Sequence, residues 1–384
     1  IFVSNRYLPR RILLLTGCFA RAAAERHSIS RLWKQSSGLM ARSVTQNAGD
    51  HGEHYITRDK KEYWAMFYSA AGGGVLIALM ALFKIYLGSI IDDKVWKGIA
   101  EGLNYGLGFM VIFMLHFTVA TKQPAMTAAR FAEAVEKNPQ GKTLNMKLAQ
   151  LLVDVFRSQS IAVLGNVLIA MSLAALIAFG YQYKTGEPLM NADQIAYQLH
   201  SIDPFAGTLW FAAIAGVWLF CSGIISGYFD NRSNYLNMRM RLAQHPLLKK
   251  LMSEKSRVKF ANYMHENYGS LIGNLCFGML LGITGVVGYL THLPLDIRHV
   301  AFSSANVGYI AVSGHFTYSL LLQCIGFVLL IGLVNLIVSF SLTLWVALRS
   351  LNAEIDSWWP IWHEVCQIVK KRPLSLFLPV QLDK

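Results

Sequence analysis

The chain has 384 residues, of which 54% are hydrophobic and 15% charged, with a formal net charge of +13. Soluble globular chains carry nearer ~25% charged residues and lack long uninterrupted apolar runs, so these values exclude a soluble protein built on one core. Five scattered cysteines, Cys18, Cys221, Cys276, Cys324 and Cys366, contain no Cys-x-x-Cys pair and argue against a disulfide framework or a cysteine metal centre.

Residues 1–64 form a basic segment with 11 Lys and Arg residues, expected to be cytoplasmic and part of a larger soluble region. No signal-peptide pattern is found there and the chain starts at Ile1 without Met, which reads as the membrane portion of a longer protein. The segment contains His51, Glu53, His54, Tyr55 and Arg58, the one cluster with residue types suited to nucleophilic attack on a phosphate. A helix-start or interfacial tyrosine is the better account of Tyr55. Two histidines three apart without a third ligand do not make a metal site.

A spanning helix needs roughly 20 apolar residues to cross ~30 Å of hydrocarbon. Six stretches qualify, approximately 65–91, 98–121, 159–181, 208–229, 268–291 and 320–348. They predict an all-α integral membrane protein, with a six-helix membrane domain at 65–348 and a C-terminal interfacial segment at 349–384. Asp92-Asp93-Lys94 makes the first two spans a tight hairpin, and it brings Lys84 within reach of Glu101 for an ion pair. Gly72-Gly73-Gly74 is a hinge candidate, since three consecutive glycines weaken a helix. Glycines at four-residue spacing, including Gly98, Gly102 and Gly106 and later Gly278 and Gly282, let helix backbones approach closely.

At the end of the second span, Lys122, Gln123, Pro124 and Thr127 set polar atoms beside a helix break and are candidate functional residues. Inside the spans the polar residues are Lys84, Glu101, Asn104, His116, Asn166, Asn274 and Asn335, which either join helices or mark a pathway. Gly165-Asn166 and Gly273-Asn274 each stand 15 residues before a Gly-Tyr pair, an offset of 108 residues that predicts helical hairpins repeated in parallel orientation. Segments 142–158 and 246–267 read as amphipathic cytoplasmic helices, and Trp358, Trp359 and Trp362 as an interfacial one.

Basic residues number six in 122–158 and eight in 230–267, whereas 182–207 holds only Lys184 and 292–319 only Arg298. By the positive-inside rule, both termini and the two basic loops face the cytoplasm and the poor loops face outward. The cations of 246–267 are interleaved with Leu247, Leu248, Leu251 and Met252, which suits anionic membrane lipid headgroups better than DNA.

Four strings read together resemble a bacterial family of membrane proteins called Gcr-type site-specific recombinases. They are Gly52–Arg58 (GEHYITR), Ala120–Ala128 (ATKQPAMTA), Arg298-His299-Val300 with the serines after it, and Trp345–Arg349 (WVALR). The resemblance runs from about residue 49 to 352 and implies a bacterial inner-membrane protein with a larger soluble N-terminal region. Tyrosine recombinases surround their nucleophile with Arg residues and a His-x-x-Arg unit, and none of the eleven histidines here has Arg three residues later. The residues therefore point to action on a lipid, a solute or a membrane partner. Membrane-tethered DNA recombination and a structural subunit are the alternatives, and no cofactor is implied.

Overall fold

The computed structural model describes residues 56–57, 59–120, 123–137, 142–312, 316–351, 353 and 355–379, together with residue 16. Among them every regular element is helical. The long helices are α1 (Lys60–Ile90), α2 (Lys94–Met114), α4 (Lys142–Thr185), α6 (Thr208–Tyr235), α9 (Glu254–Thr291) and α11 (Tyr318–Ser350). Shorter ones fill the connections: α3 (Gln123–Lys137), α5 (Ala192–Ile202), α7 (Met238–Gln244), α8 (Pro246–Leu251), α10 (Val300–Ala311) and α12 (Trp359–Lys371).

Five described helices are long and apolar enough to cross a membrane: α1, α4 (from Leu144), α6, α9 and α11. The sixth expected span, α2, differs: it has 21 residues and carries Lys94, Lys97 and Glu101. It also ends earlier than the expected 121. The Asp93 carboxylate caps its start by accepting from the N–H groups of Val95 and Trp96 at 3.0 and 2.9 Å. At its end Leu115 leaves helical geometry and His116 takes a left-handed conformation, φ 57°. The chain then runs without regular structure from Phe117 to Val119 before α3.

The same break occurs again. Helix α9 ends at His292, also left-handed at φ 55°, and the chain runs without regular structure to His299 before α10. Position 292–319, expected as an outward loop, therefore contains a helix of about 18 Å. Ten of its twelve residues are buried. The bundle packs it on α4, where Gly308 lies against Met171 and Ala174, and on α1, where the Tyr309 hydroxyl donates to the Ala78 carbonyl at 2.7 Å.

These breaks reveal an internal repeat of four hydrogen bonds. In the first half Thr118 N–H donates to Ser69 O at 3.2 Å, Ala120 N–H donates to Asn166 Oδ1 at 2.8 Å, and Asn166 Nδ2 donates to Thr118 O at 2.9 Å and Ala70 O at 2.6 Å. In the second half Arg298 N–H donates to Phe211 O at 3.2 Å, Val300 N–H donates to Asn335 Oδ1 at 3.2 Å, and Asn335 Nδ2 donates to Arg298 O at 3.0 Å and Ala212 O at 2.7 Å. The unit α1–α2–α3–α4 thus corresponds to α6–α9–α10–α11. Ser69, Ala70 and Gly74 each stand 142 residues before Phe211, Ala212 and Gly216. Gly74 makes room for the Asn166 carbonyl and Gly216 for the Asn335 carbonyl. The Gly72–Gly74 run is therefore a close-packing surface for the broken segment, with the Phe117 ring over Gly72.

The second unit is turned over. Residue pairings make α1, α4 and α9 run one way and α2, α6 and α11 the other. At the centre α2 and α9 cross antiparallel, with Gly106 against Gly278 and Gly102 against Gly282. Residues 102 and 106 correspond to 278 and 282 at the 176-residue offset that relates His116 to His292, so a two-fold rotation exchanges the two contacts. This is an inverted repeat. The parallel repeat expected from the offset of 108 is corrected accordingly: Asn274 donates to Ser270 O of its own helix, and the counterpart of Asn166 is Asn335.

We call the face where α1 begins the terminal face and the face of residues 91–93 the hairpin face. On the terminal face Arg157 ties three segments together. It is buried, pairs with Asp154 at 3.0 Å, and donates to the carbonyls of Thr57 and Ser375. Leu144, Leu148 and Val155 of the expected amphipathic stretch are buried in α4. Segment 246–267 is two helices, because Met252 is extended and Ser253 caps α9.

Candidate functional site

The expected site residues scatter. Glu53, His54, Tyr55, Arg58 and Lys122 lie outside the described residues, Gln123 and Pro124 open α3, and Thr127 is buried on α3. His116 forms the left-handed corner after α2, where its carbonyl accepts from the Ser69 hydroxyl at 3.0 Å. Asn166 and Asn335 hold the two breaks, and Asn104 joins α2 to α1 by donating to Met80 O at 2.9 Å. All three join backbone, as helix-bridging amides do.

Lys84 and Glu101 are brought together at 3.5 Å, as the hairpin spacing predicts. They line a cavity of about 480 Å³ at the hairpin face, a size usual for small-molecule sites. Helices α1 and α2 supply Lys84, Gly88, Lys97, Glu101 and Tyr105. Helix α5 covers it with Asn191, Asp193, Gln194, Tyr197 and Gln198. It can do so because Asn191 and Gln194 form a reciprocal capping box that starts the helix at the cavity rim. The second broken segment and α10 supply Asp296, Arg298, His299, Phe302, Ser303 and Asn306.

The floor is the centre of the fold. His299 is buried, and its ring lies 6.1 Å from Phe109, 5.8 Å from Phe277 and 5.7 Å from Phe302, so α2, α9 and α10 meet there. Arg298 is fixed by Asp296 at 2.6 Å, by the Ser201 carbonyl at 2.7 Å, and by its position over the Phe211 ring. It therefore links the broken segment to α5 and α6. The cavity holds three cations, Lys84, Lys97 and Arg298, and three anions, Glu101, Asp193 and Asp296. Two pairs are internal, and Lys97 and Asp193 make no ion pair among the described residues.

A model of the family described as site-specific recombinase matches residues 4–379. The chain belongs to that family. Neither curated proteins nor solved structures give a match to it. The match extends over the whole inverted repeat, so the cavity and both broken segments fall within what defines this family. Among the described residues there is no group of three or more His, Cys, Asp or Glu arranged to hold a metal ion.

Asp296, Arg298, His299, Asn306 and Lys97 were not singled out as site residues by sequence reasoning. A usable signal was present: Arg298 is the lone basic residue of 292–319 and stands two residues from Asp296, just before an apolar stretch.

For the Lys84–Glu101 pair, removing one partner leaves the other uncompensated near apolar surface. Lys84 is 36% exposed, which screens the effect. Lys84→Leu is expected to destabilise by about 1–2 kcal/mol, and Lys84→Leu with Glu101→Leu by less. A double-mutant cycle in detergent unfolding reads this, and additive losses contradict it.

Proposed function

We propose that this protein is a membrane protein whose hairpin-face cavity binds a small zwitterionic group, carried by a solute or by a phospholipid headgroup. The carrying observation is the charge arrangement of the cavity. Its six charges balance, two pairs neutralise themselves, and one cation and one anion, Lys97 on the wall and Asp193 on the cover, are left to meet a ligand. A ligand with a single charge would satisfy one and leave the other desolvated, which is unfavourable. The amides of Asn191, Gln194, Gln198 and Asn306 add neutral donors and acceptors.

In this reading the membrane is the bacterial inner membrane and the terminal face is cytoplasmic, on the strength of the basic residues in 1–64, 122–158 and 230–267. Exposed Leu247, Leu251, Trp359 and Trp362 beside Lys249, Lys250, Lys370 and Lys371 suit an anionic lipid surface. Large apolar side chains this exposed beside the cations suit burial below headgroups better than contact with DNA phosphates.

The test uses phosphoethanolamine as the zwitterionic probe, with choline and inorganic phosphate as single-charge controls, on the purified protein. Phosphoethanolamine is expected to raise the melting temperature, and Lys97→Ala or Asp193→Asn to abolish the rise without changing the melting temperature of the free protein. Phosphatidylethanolamine retained through purification, and lost in the same variants, identifies the lipid as the source. An equal response to the single-charge controls overturns the reading.

A further inference from the structure

The inverted repeat makes a comparison possible between the cavity and the equivalent place on the opposite face. At the offsets of 142 and 176 residues, Lys84 and Gly88 of α1 correspond to Ser226 and Asp230 of α6, and Asp93 and Lys97 of α2 correspond to Gly269 and Gly273 of α9. The two places are equivalent in the fold, but their residues differ and so does the packing. At the terminal face α6 and α9 are zipped. The Gly269 N–H donates to Asp230 Oδ1 at 2.8 Å, and a side-chain carbon on Gly269 would fall on the Ser226 carbonyl and the Asp230 carboxylate. A carbon on Gly273 would stand 3.0 Å from both the Ser222 carbonyl and the Ser226 Cβ.

At the hairpin face the equivalent helices are apart. A carbon on Gly88 would meet only the end of the long Lys97 side chain, at 3.1 Å, and the Lys84–Glu101 pair bridges the rest at the edge of the cavity. Thus two copies of one unit are present in one molecule in two conformations, parted in the first half and closed in the second. Two arrangements of a helix pair that lie close in free energy are both populated, and each half is a template for the arrangement the other would take.

We propose that the protein translocates the ligand of its cavity, a small zwitterion, by exchanging these conformations. Helices α6 and α9 part at the terminal face while α1 and α2 close at the hairpin face. The two breaks, held by Asn166 and Asn335, are the fixed points, and α10 starts beside the central crossing of α2 and α9, where the cavity floor at His299 lies. A ligand resting on that floor would be released to the opposite side without a continuous pore, as in other inverted repeats. Gly269 and Gly273 let the backbones of α6 and α9 meet closely, and parting them also breaks the Ser233–His265 hydrogen bond and the Phe229–Tyr268 ring contact. The proposal takes its substrate from the binding reading above, but the motion is tested without any ligand.

The experiment places one cysteine at Ser222, buried between α6 and α9, in a protein without its native cysteines, reconstituted in vesicles. Gly88→Cys and Lys97→Cys are added and bridged with a short bifunctional maleimide, which holds the hairpin face shut. Bridging is expected to speed modification of Ser222→Cys by a charged thiol reagent about tenfold or more, the change that follows when a minor state becomes the main one. Unchanged modification after complete bridging overturns translocation; if phosphoethanolamine still raises the melting temperature of the unbridged native protein, the binding reading survives alone. Should the bridged variant not fold, Ser222→Cys alone should still react faster than a cysteine at Ser304, which is fully buried in α10. Equal and negligible rates at both positions also overturn the proposal.

Discussion

Replacing Asn335 with leucine is expected to remove about half of the protein's stability. The side chain satisfies three backbone groups at once: it accepts from Val300 N–H and donates to the carbonyls of Ala212 and Arg298. Each buried backbone group left without a partner costs about 1–3 kcal/mol. Hydrogen bonds between membrane helices average only about 0.6 kcal/mol, because chains unfolded in the bilayer find other partners. That discount does not apply to Val300 and Arg298 in the folded bundle, since the first N–H of α10 and the carbonyl of the non-helical segment before it have no helical partner to fall back on. The expected loss is about 3 kcal/mol or more, of the order of half a typical domain's stability. Asn335→Asp, neutral in this buried site, keeps the acceptor for Val300 and one of the two donated bonds, and should fall between the native protein and the leucine variant. Asn166→Leu should match Asn335→Leu, because the corresponding three bonds are lost. Denaturant titration in detergent reads all three, and a loss under about 1 kcal/mol for either leucine variant would contradict this account.

The second large effect is at the central crossing. A side-chain carbon on Gly278 would fall on the backbone of Gly106, and one on Gly282 on the backbone of Gly102. Neither obstacle is the flexible end of a side chain, so α2 and α9 must move apart as whole helices. That shift would disrupt the packing of Phe109 against Phe277, whose ring centroids are 5.1 Å apart, and of both rings around His299. Gly278→Leu is expected to cost more than about 3 kcal/mol, the upper part of the range for overpacking. It should abolish recovery of monodisperse protein. Gly326→Leu, on α11 where an added carbon meets nothing within 4 Å, is the control and should be neutral. Equal recovery of the two variants would show that the crossing is not a fixed contact.

The five helices long and apolar enough to cross a membrane were legible because uninterrupted apolar runs of this length match the thickness of a bilayer and exceed what a soluble core needs. The Lys84–Glu101 pair was legible because a tight hairpin fixes the register of its two arms. The inverted repeat was not. Its copies share single letters, Asn166 with Asn335 or Gly74 with Gly216, and the offset shifts from 142 to 176 between helices because α7 and α8 occupy the connection that residues 91–93 make in the first half. The offset of 108 looked regular by comparison, but Asn274 donates to Ser270 O of its own helix, whereas Asn166 and Asn335 donate to the broken segments. Helix α10 was missed because twelve residues are too few to span a bilayer, and only burial inside the bundle distinguishes it from a loop. The cavity was missed for a related reason: its walls come from α1, α2, α5 and α10, and only the reversal of the chain at His292 brings Arg298 and His299 back between them.

Each half traverses the bundle three times, in α1, α2 and α4 and again in α6, α9 and α11. Because three is odd, a gene segment encoding one half, copied in tandem, yields a second copy that starts from the far side and is upside down from the outset. Before such a fusion the half would have had to insert in both directions, with two opposed copies meeting across the crossing now made by Gly102, Gly106, Gly278 and Gly282. Fusion releases each copy from that double life, and the surplus of Lys and Arg in 230–267 is then free to build up on one face only.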